Sequence, residues 1–448
     1  MGAMTAEAGD RSRTIATGPH ILRSTELAPL TYEAPIEHIG EIPVTYGAEG
    51  EYLSTRKLKK PYDDLAAQGI ITPEQEIQRY LIANAGFNGR WVFPGNYRVE
   101  SDEEQERAAR RTARTAIRLL NDRDWGGADI MYIGSITVSN DMPQRVVEIM
   151  AKEGFSVGEA RFYALACAST GVATVNFARE HQGEDVSALI IGQNSLSGDR
   201  VDPNNPQITA TFGNGVGGLA LNGREIRHHG GHTKVIRDEK GAICVPSLYH
   251  LPDVFDRTPP PDWVEVDPNA ENVFAYDTSG NMMMIMPIPA EGAQYATVDP
   301  IESVRCFSKS SAEPLMMTLI EWYEAHTDSL LGTGLAHQAT KQTLEGILRY
   351  AWKNYIRVDQ KIGMSKVDHI PQLRGMSKEK FNTMFPFMMN KRGVRMSNFS
   401  DGTWIVPLAE MGKRGMIKPG VPFPNFVYGV GLTISADILE FLQQNSRS

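Results

Sequence analysis

Hydrophobic and polar positions along this chain switch repeatedly between a helical and a strand period. In SDEEQERAARRTARTAIRLLND (101–122) the apolar residues recur at helical spacing, behind Ser101 as a predicted N-cap with Glu104 three residues on. ADIMYIGSITV (128–138) then reads as a strand, RVVEIMAKEGF as a helix, RFYALA as a strand and STGVATVNFARE as a helix. VSALIIGQNSLS (186–197) reads as a strand buried on both faces. ITATFGNGVGGLALNG (208–223) reads as two strands around a glycine-rich bend. The alternation predicts an α/β fold with a mostly parallel, doubly covered sheet. From 238 to about 300 the texture changes, and the proline-rich, polar DRTPPPDWVEVDPNAEN predicts loop or insertion. Beyond it come two helical runs, AEPLMMTLIEWYEAH and KQTLEGILRYAWKNYIR, and the strand-like NFVYGVGLTISA. Two α/β halves joined by an irregular stretch result.

Composition narrows the classes. The chain has 448 residues, 41% of them apolar, enough for a large core. Its formal net charge of −9 gives no global case for nucleic acid or a membrane surface. No window approaches the apolar length of a membrane span, and the polar N-terminus, MGAMTAEAGDRSR, lacks the apolar core of a secretory signal. The three cysteines, Cys167, Cys244 and Cys306, have no CxxC spacing. That pattern argues against a disulfide framework and a zinc site, and fits a reducing cytoplasm.

Candidate chemistry then falls on strand-to-helix turns. Cys167 follows RFYAL and opens a predicted helix, where the helix N-terminus favours thiolate. The competing reading is a buried structural cysteine. GLAHQATKQTLEGI (334–347) puts His337 at the end of a short strand and just before a helix. RMSNFSDGTWIVPLAEM (395–411) puts Asn398 in the same kind of place. Open α/β sheets hold their active sites on such turns. The spacing Gly213-x-Gly215-x-x-Gly218 matches a dinucleotide fingerprint only superficially, because strand follows it where a helix is required. His228, His229 and His232 read as solvated turn histidines rather than a metal cluster. The methionine-rich NMMMIMP (281–287) and MFPFMMN (384–390) read as core filling.

The order of these motifs resembles the ketoacyl synthase III branch of the thiolase superfamily, from about 70 to 440. ALACASTGVATV resembles the A-C-S-G motif, which maps the family nucleophile onto Cys167. ATFGNGVGGLAL resembles the F-G-D-G-A-G-A segment, with Asn214 where aspartate is usual. LAHQAT resembles H-Q-A-N, which maps the family histidine onto His337, with Thr340 in place of the asparagine. SNFSDGTWIVPLAEM resembles the G-N-T-S-A segment, which maps the asparagine onto Asn398. YGVGLTISA resembles the closing G-G-G-x-T strand, with Val430 at the middle glycine. Upstream, GFNGRWV echoes the T-G-I-R segment, with Arg90 at the arginine. The stretch between His337 and Asn398 is longer than the family's. His369, nearer the family spacing, is therefore an alternative histidine.

The resemblance implies a five-layer αβαβα, thiolase-like fold of two similar halves, and a homodimer. It divides the chain into a 1–60 extension with the first strands, a 61–237 half holding the cysteine, a 238–305 insertion, and a 306–448 half holding His337 and Asn398. It implies a decarboxylative Claisen condensation, in which a Cys167-bound acyl group meets a malonyl-type thioester, in fatty-acid-like or polyketide metabolism. The N–H groups of Cys167 and Val430 would form the oxyanion hole. Substrates would be thioesters of coenzyme A or an acyl carrier protein, with no resident cofactor or metal. Arg90 and Lys341, with KRGMIKPG (413–420), are candidate substrate or carrier contacts. Three other readings stay open: an acyltransferase of the same fold, a Cys-His-Asn hydrolase, and a non-catalytic partner subunit.

Overall fold

The computed structural model describes residues 27, 29–93, 102–135, 137, 141–163, 166–196, 211–235, 264–266, 274–276, 282–284, 300–359, 363–429 and 433–443. Two sheets organise it. The first runs, in neighbour order, Tyr32–Glu33, Ile42–Ala48, Asn214–Asn222, Ser187–Ser195, Gly127–Gly134, Ser156–Tyr163, with Glu37–Ile39 also paired to Ile42–Ala48. The second runs Val264–Val266, Ile226–Val235, Thr433–Phe441, Phe423–Tyr428, Leu335–Ala336.

Strand periodicity explains the layering. On Gly127–Gly134, Ile130 and Tyr132 face one core while Met131 and Ile133 face another. Ala188 and Ile190 alternate with Leu189 and Ile191 in the same way. In the second sheet Phe423 and Val427 join the central core, and Phe426 and Tyr428 a third. Each sheet is thus buried on both faces, which gives three apolar cores and five layers. Helices Asp102–Asp122 and Met142–Lys152 cover the outside of the first sheet, Ser169–His181 and Ile405–Lys413 lie between the sheets, and Pro300–Ala325 and Lys341–Ala351 cover the outside of the second.

Several sequence expectations change here. The first sheet is mixed. Gly127–Gly134 is parallel to both of its neighbours, but the pairs beyond Ser187–Ser195 are antiparallel. Continuous apolar runs report burial on two faces, and an antiparallel strand inside five layers has the same signature. The glycine-rich segment makes one unbroken strand, Asn214–Asn222, where a bend was expected. Its glycines allow close approach: a Cβ on Gly215 would stand 2.6 Å from the Phe399 ring. NFVYGVGLTISA spans two antiparallel strands, Phe423–Tyr428 and Thr433–Phe441. Strand Ile226–Val235, placed by sequence in the cysteine half, pairs with Thr433–Phe441 in the second sheet. Ser101, Cys244 and most of 238–299 lie outside the described residues.

The three histidines of HHGGH stand on that crossing strand and each meets a carboxylate: His228 with Asp437 at 2.9 Å, His229 with Glu440 at 2.8 Å and His232 with Glu321 at 2.9 Å. They are paired strand residues, where solvated turn residues were expected. Among the described residues no His, Cys, Asp and Glu group is arranged to hold a metal ion. No helix among them is long and apolar enough to cross a membrane. Met388 and Met389 of the second methionine-rich run are buried in the central core.

Candidate active site

Cys167 sits in a short 3-10 turn, Ala166–Ala168, that opens helix Ser169–His181. Every residue from Ser169 to Ala178 is buried, since the helix is wedged between two sheets. Small side chains make this possible: a Cβ on Gly171 would lie 2.3 Å from Val427 Cγ1. Cys167 is therefore buried at the central layer, with its Sγ 3.6 Å from Ser400 Oγ.

His337 ends the two-residue strand Leu335–Ala336, and its N–H donates to the Phe426 carbonyl at 2.8 Å. Gln338 clamps the next loop: Nε2 donates to Pro386 O, and Oε1 accepts from Met388 N at 2.7 Å and Met389 N at 3.2 Å. Thr340, at the position of the family asparagine, caps helix Lys341–Ala351 by accepting from Thr343 N at 3.0 Å. The His337 ring is fully buried and stands edge-on to Tyr428, centroids 5.4 Å apart. Neither ring nitrogen has a hydrogen-bond partner among the described residues. Burial lowers its pKa to about 3, so the imidazole is neutral, with one N–H to donate. An unmade bond at a buried nitrogen costs on the order of 1–3 kcal/mol, which a substrate oxygen would recover.

Asn398 is anchored by its backbone: its N–H donates to Thr211 O and its carbonyl accepts from Gly213 N, both at 3.0 Å. Its Oδ1 accepts from Ser400 N at 2.8 Å and from Thr403 Oγ1 at 2.9 Å. Ser400 itself has φ 60°, a left-handed conformation unusual for a side-chain-bearing residue. Next to it, fully buried Asp401 accepts from Ser169 Oγ and Asn194 Nδ2, and its carbonyl accepts from Thr170 Oγ1 at 2.6 Å. Burial raises the Asp401 carboxyl to about pKa 7, against the pull of these donors.

Two side chains tie the group together, and both escaped sequence reasoning. Tyr428 packs edge-on against His337, and burial holds its hydroxyl well above the ordinary range. Ser400 touches Cys167 through its hydroxyl and Asn398 through its N–H. Ser400 thus links Cys167 to Asn398, and Tyr428 is the aromatic partner of His337. The only sequence signals for the two were their places beside motifs, in SNFSDG and FVYGVG.

The remaining sequence candidates are scattered. Arg90 is buried, with its pKa lowered to about 10 by burial, and donates to Phe212 O at 3.1 Å, on the residue that bridges to Asn398. Lys341 begins its helix half-exposed, 3.7 Å from Glu345. His369 is exposed and pairs with Glu324 at 2.9 Å. Lys413 pairs with Glu37. Val430 lies outside the described residues.

No model of a known protein family matches this sequence, and no curated protein matches it. Solved structures do match. A 3-oxoacyl-(acyl-carrier-protein) synthase III superposes with a TM-score of 0.55 at 16% identity, covering 91% of this chain and 100% of its own. OleA of Xanthomonas campestris superposes with a TM-score of 0.53 at 12% identity, covering 92% and 100%. The 1,3,6,8-tetrahydroxynaphthalene synthase of Streptomyces coelicolor A3(2), a type III polyketide synthase, gives 0.52 at 14% identity, covering 91% and 99%. The five-layer fold of this chain is shared with these solved structures.

Proposed function

We propose that this thiolase-type chain is a condensing enzyme that joins two acyl thioesters. One observation carries the reading. A buried thiol at a helix start touches Ser400, whose N–H holds the Asn398 amide oxygen, and a fully buried histidine with no partner on either ring nitrogen among the described residues packs on Tyr428. Cys167 attacks the carbonyl of the first thioester, expels its thiol and becomes acylated. The N–H groups of Cys167 and Val430 are the proposed donors to that oxyanion. A malonyl-type thioester then enters, and His337 and Asn398 donate to its thioester oxygen. As carbon dioxide leaves, the enolate charge collects on that oxygen, where two neutral donors stabilise it. The enolate carbon attacks the acyl-cysteine, forms the carbon–carbon bond and releases Cys167.

The solved structures of similar fold support this choice of chemistry, since they include synthases and a tetronic acid condensing enzyme. The substrates proposed are thioesters of coenzyme A or of an acyl carrier protein, with Arg90 and Lys341 as candidate contacts. The enzyme is proposed to act as a homodimer, without a resident cofactor, in the cytoplasm.

Intact-protein mass measurement after incubation with a panel of acyl-coenzyme A thioesters tests the first half-reaction. The wild type should gain one acyl mass and Cys167→Ala none. An adduct that persists in Cys167→Ala removes the reading. Release of labelled carbon dioxide from malonyl thioester by the acylated enzyme tests the second half. If none appears while a hydroxyl or amine acceptor becomes acylated, the chain is an acyltransferase of the same fold.

A further inference from the structure

The run that leads to Asn398 is irregular. Residues 391–397 form no strand, and Asn398 is tied to Phe212 by an isolated bridge. Backbone carbonyls in such a run have no ladder to bond to, so donors from elsewhere must hold them. A stretch far earlier in the chain supplies those donors. It follows the helical hairpin Thr55–Ala67, Pro73–Asn84 and enters strand Gly89–Val92. We propose that this stretch, residues 85–91, is a splint for the condensation step: it holds His337 and Asn398 in fixed relation to each other, while Cys167 is held by other elements.

At the Asn398 end the splint bonds backbone through its side chains. Asn88 Nδ2 donates to Lys391 O and to Val394 O, both at 3.0 Å, which uses both of its N–H groups. Trp91 Nε1 donates to Arg395 O at 2.7 Å, and its ring is stacked on Tyr32 with centroids 5.6 Å apart. Arg90 Nη1 donates to Phe212 O at 3.1 Å. Successive strand residues point to opposite faces, so the neighbours Arg90 and Trp91 reach two different backbone runs, and those runs meet at Asn398. The Phe212 run in turn bonds Asn398 through Thr211 O and Gly213 N. The approach is close: a Cβ on Gly213 would stand 2.9 Å from Trp91 O.

At the His337 end the contacts are made by backbone and rings. Ala85 O accepts from Lys341 N at 2.9 Å, at the start of the helix that follows His337. Gly86 has φ 89° and no space for a side chain, since a Cβ there would lie 2.6 Å from Lys341 Cβ and 2.9 Å from the Phe387 ring. Phe87 packs on Phe387 with centroids 6.1 Å apart, in the loop that Gln338 clamps. Thr55 locks the middle of the segment: its N–H donates to Asn88 O at 3.0 Å and its hydroxyl to Phe87 O at 2.6 Å.

Cys167 is anchored differently. Its helix bonds Asp401 through Ser169 and Thr170, and Asn194 Nδ2 donates to Phe399 O at 2.9 Å and to the Asp401 carboxylate. The two half-reactions therefore depend on different supports. Acylation needs the thiol at its helix start. Condensation needs the His337 and Asn398 donors aimed at one oxygen, and a misplacement of about 1 Å at such a site costs roughly a hundredfold in rate. Asn88 and Trp91 act through backbone and are positioning residues.

The rate effect rests on the condensing reading, but a second readout needs no substrate. Backbone hydrogen exchange is followed by mass spectrometry on the full chain. Asn88 is exposed, so Asn88→Ala should fold. Peptides across 391–398 should then exchange roughly tenfold faster than in the wild type, with the peptide 169–178 of the Cys167 helix unchanged. Gly86→Ala should do the same across 337–343, and if it does not fold, Phe87→Leu, which removes the ring contact with Phe387, takes its place. In each variant an acyl-coenzyme A thioester should still add one acyl mass to Cys167. Carbon dioxide release from malonyl thioester, per acylated enzyme, should fall at least about tenfold. Unchanged exchange at either end overturns the splint. So does faster exchange that reaches 169–178, or an equal loss of acylation and release, since both mark a general structural role. Faster exchange with undiminished release overturns it too. A wild type that releases no carbon dioxide removes the condensing reading instead, and the exchange data then decide the splint by themselves, so the two failures are separate findings.

Discussion

The amide of Asn398 has one orientation open to it. Ser400 N–H can only donate, so the atom 2.8 Å away must be the amide oxygen, and Thr403 adds a second donor to it. The nitrogen is then the end left to face a substrate. Asn398→Asp keeps an oxygen in both of these hydrogen bonds, so the fold should survive. It replaces the N–H donor with a negative oxygen, which repels an enolate. Acylation of Cys167 should persist, while carbon dioxide release from malonyl thioester should fall by roughly a hundredfold, the scale of losing one oxyanion donor. Unchanged release would remove Asn398 from the condensation step. His337 and His369 separate in the same assay. His337→Ala should also cost roughly a hundredfold, and His369→Ala little, because His369 is exposed and paired with Glu324. A large loss in His369→Ala with a mild one in His337→Ala reverses the assignment. Sequence reading singled out these three side chains because each stands in a motif at an expected strand-to-helix turn, although the run before Asn398 forms no strand and pairs only through an isolated bridge from Asn398 to Phe212. Tyr428 and Ser400 were out of its reach, since their importance comes from what they touch.

The turn Ser400–Gly402 works as an element because it is squeezed between others. It lies against strand Ser187–Ser195 and against the turn that holds Cys167. Two glycines meet there: a Cβ on Gly192 would stand 2.4 Å from Gly402 Cα and 2.6 Å from Asp401 C. Both contacts are to backbone, which cannot swing aside as a side chain could. Gly192→Ala should therefore push the turn away from the strand, at a cost of about 1–3 kcal/mol for overpacking. The displacement would disturb the turn that packs on Cys167, so acylation of Cys167 by an acyl-coenzyme A thioester should slow along with the loss of stability in urea. A fully stable, fully reactive Gly192→Ala would show that the close approach is not needed. The strand itself was plain from its apolar run. That its sixth residue must be glycine follows only from the neighbour across the layer.

At the scale of the whole molecule, two buried groups pull stability in opposite directions with pH. His337 has a folded pKa of about 3, below its ordinary 6.5, so its contribution is present above 6.5 and is lost as pH falls towards 3. Asp401 has a folded pKa of about 7, above its ordinary 3.8, so its contribution is present below 3.8 and is lost as pH rises towards 7. Where these windows overlap, each slope reaches at most about 1.4 kcal/mol per pH unit and the two oppose each other. Urea unfolding of variants across that overlap should expose both. Relative to wild type, His337→Gln should lose stability as pH rises, and Asp401→Asn should gain it. Two difference curves of the same sign, or two flat ones, would show that burial does not perturb these groups in this way. The sequence alone determined the alternation of helices and strands, the two-sided burial of the first sheet's inner strands, and the turns that carry Cys167 and His337. Those follow from local periodicity and from motifs within short windows. Strand direction, the crossing of Ile226–Val235 into the second sheet and the carboxylate partners of His228, His229 and His232 were decided by tertiary structure. So was the cluster of Cys167, Ser400, Asp401 and Tyr428. The physical reason is the same in each case: two-sided burial leaves one apolar signature whatever the strand's direction or partner, and a buried polar side chain takes its chemistry from atoms far away along the chain.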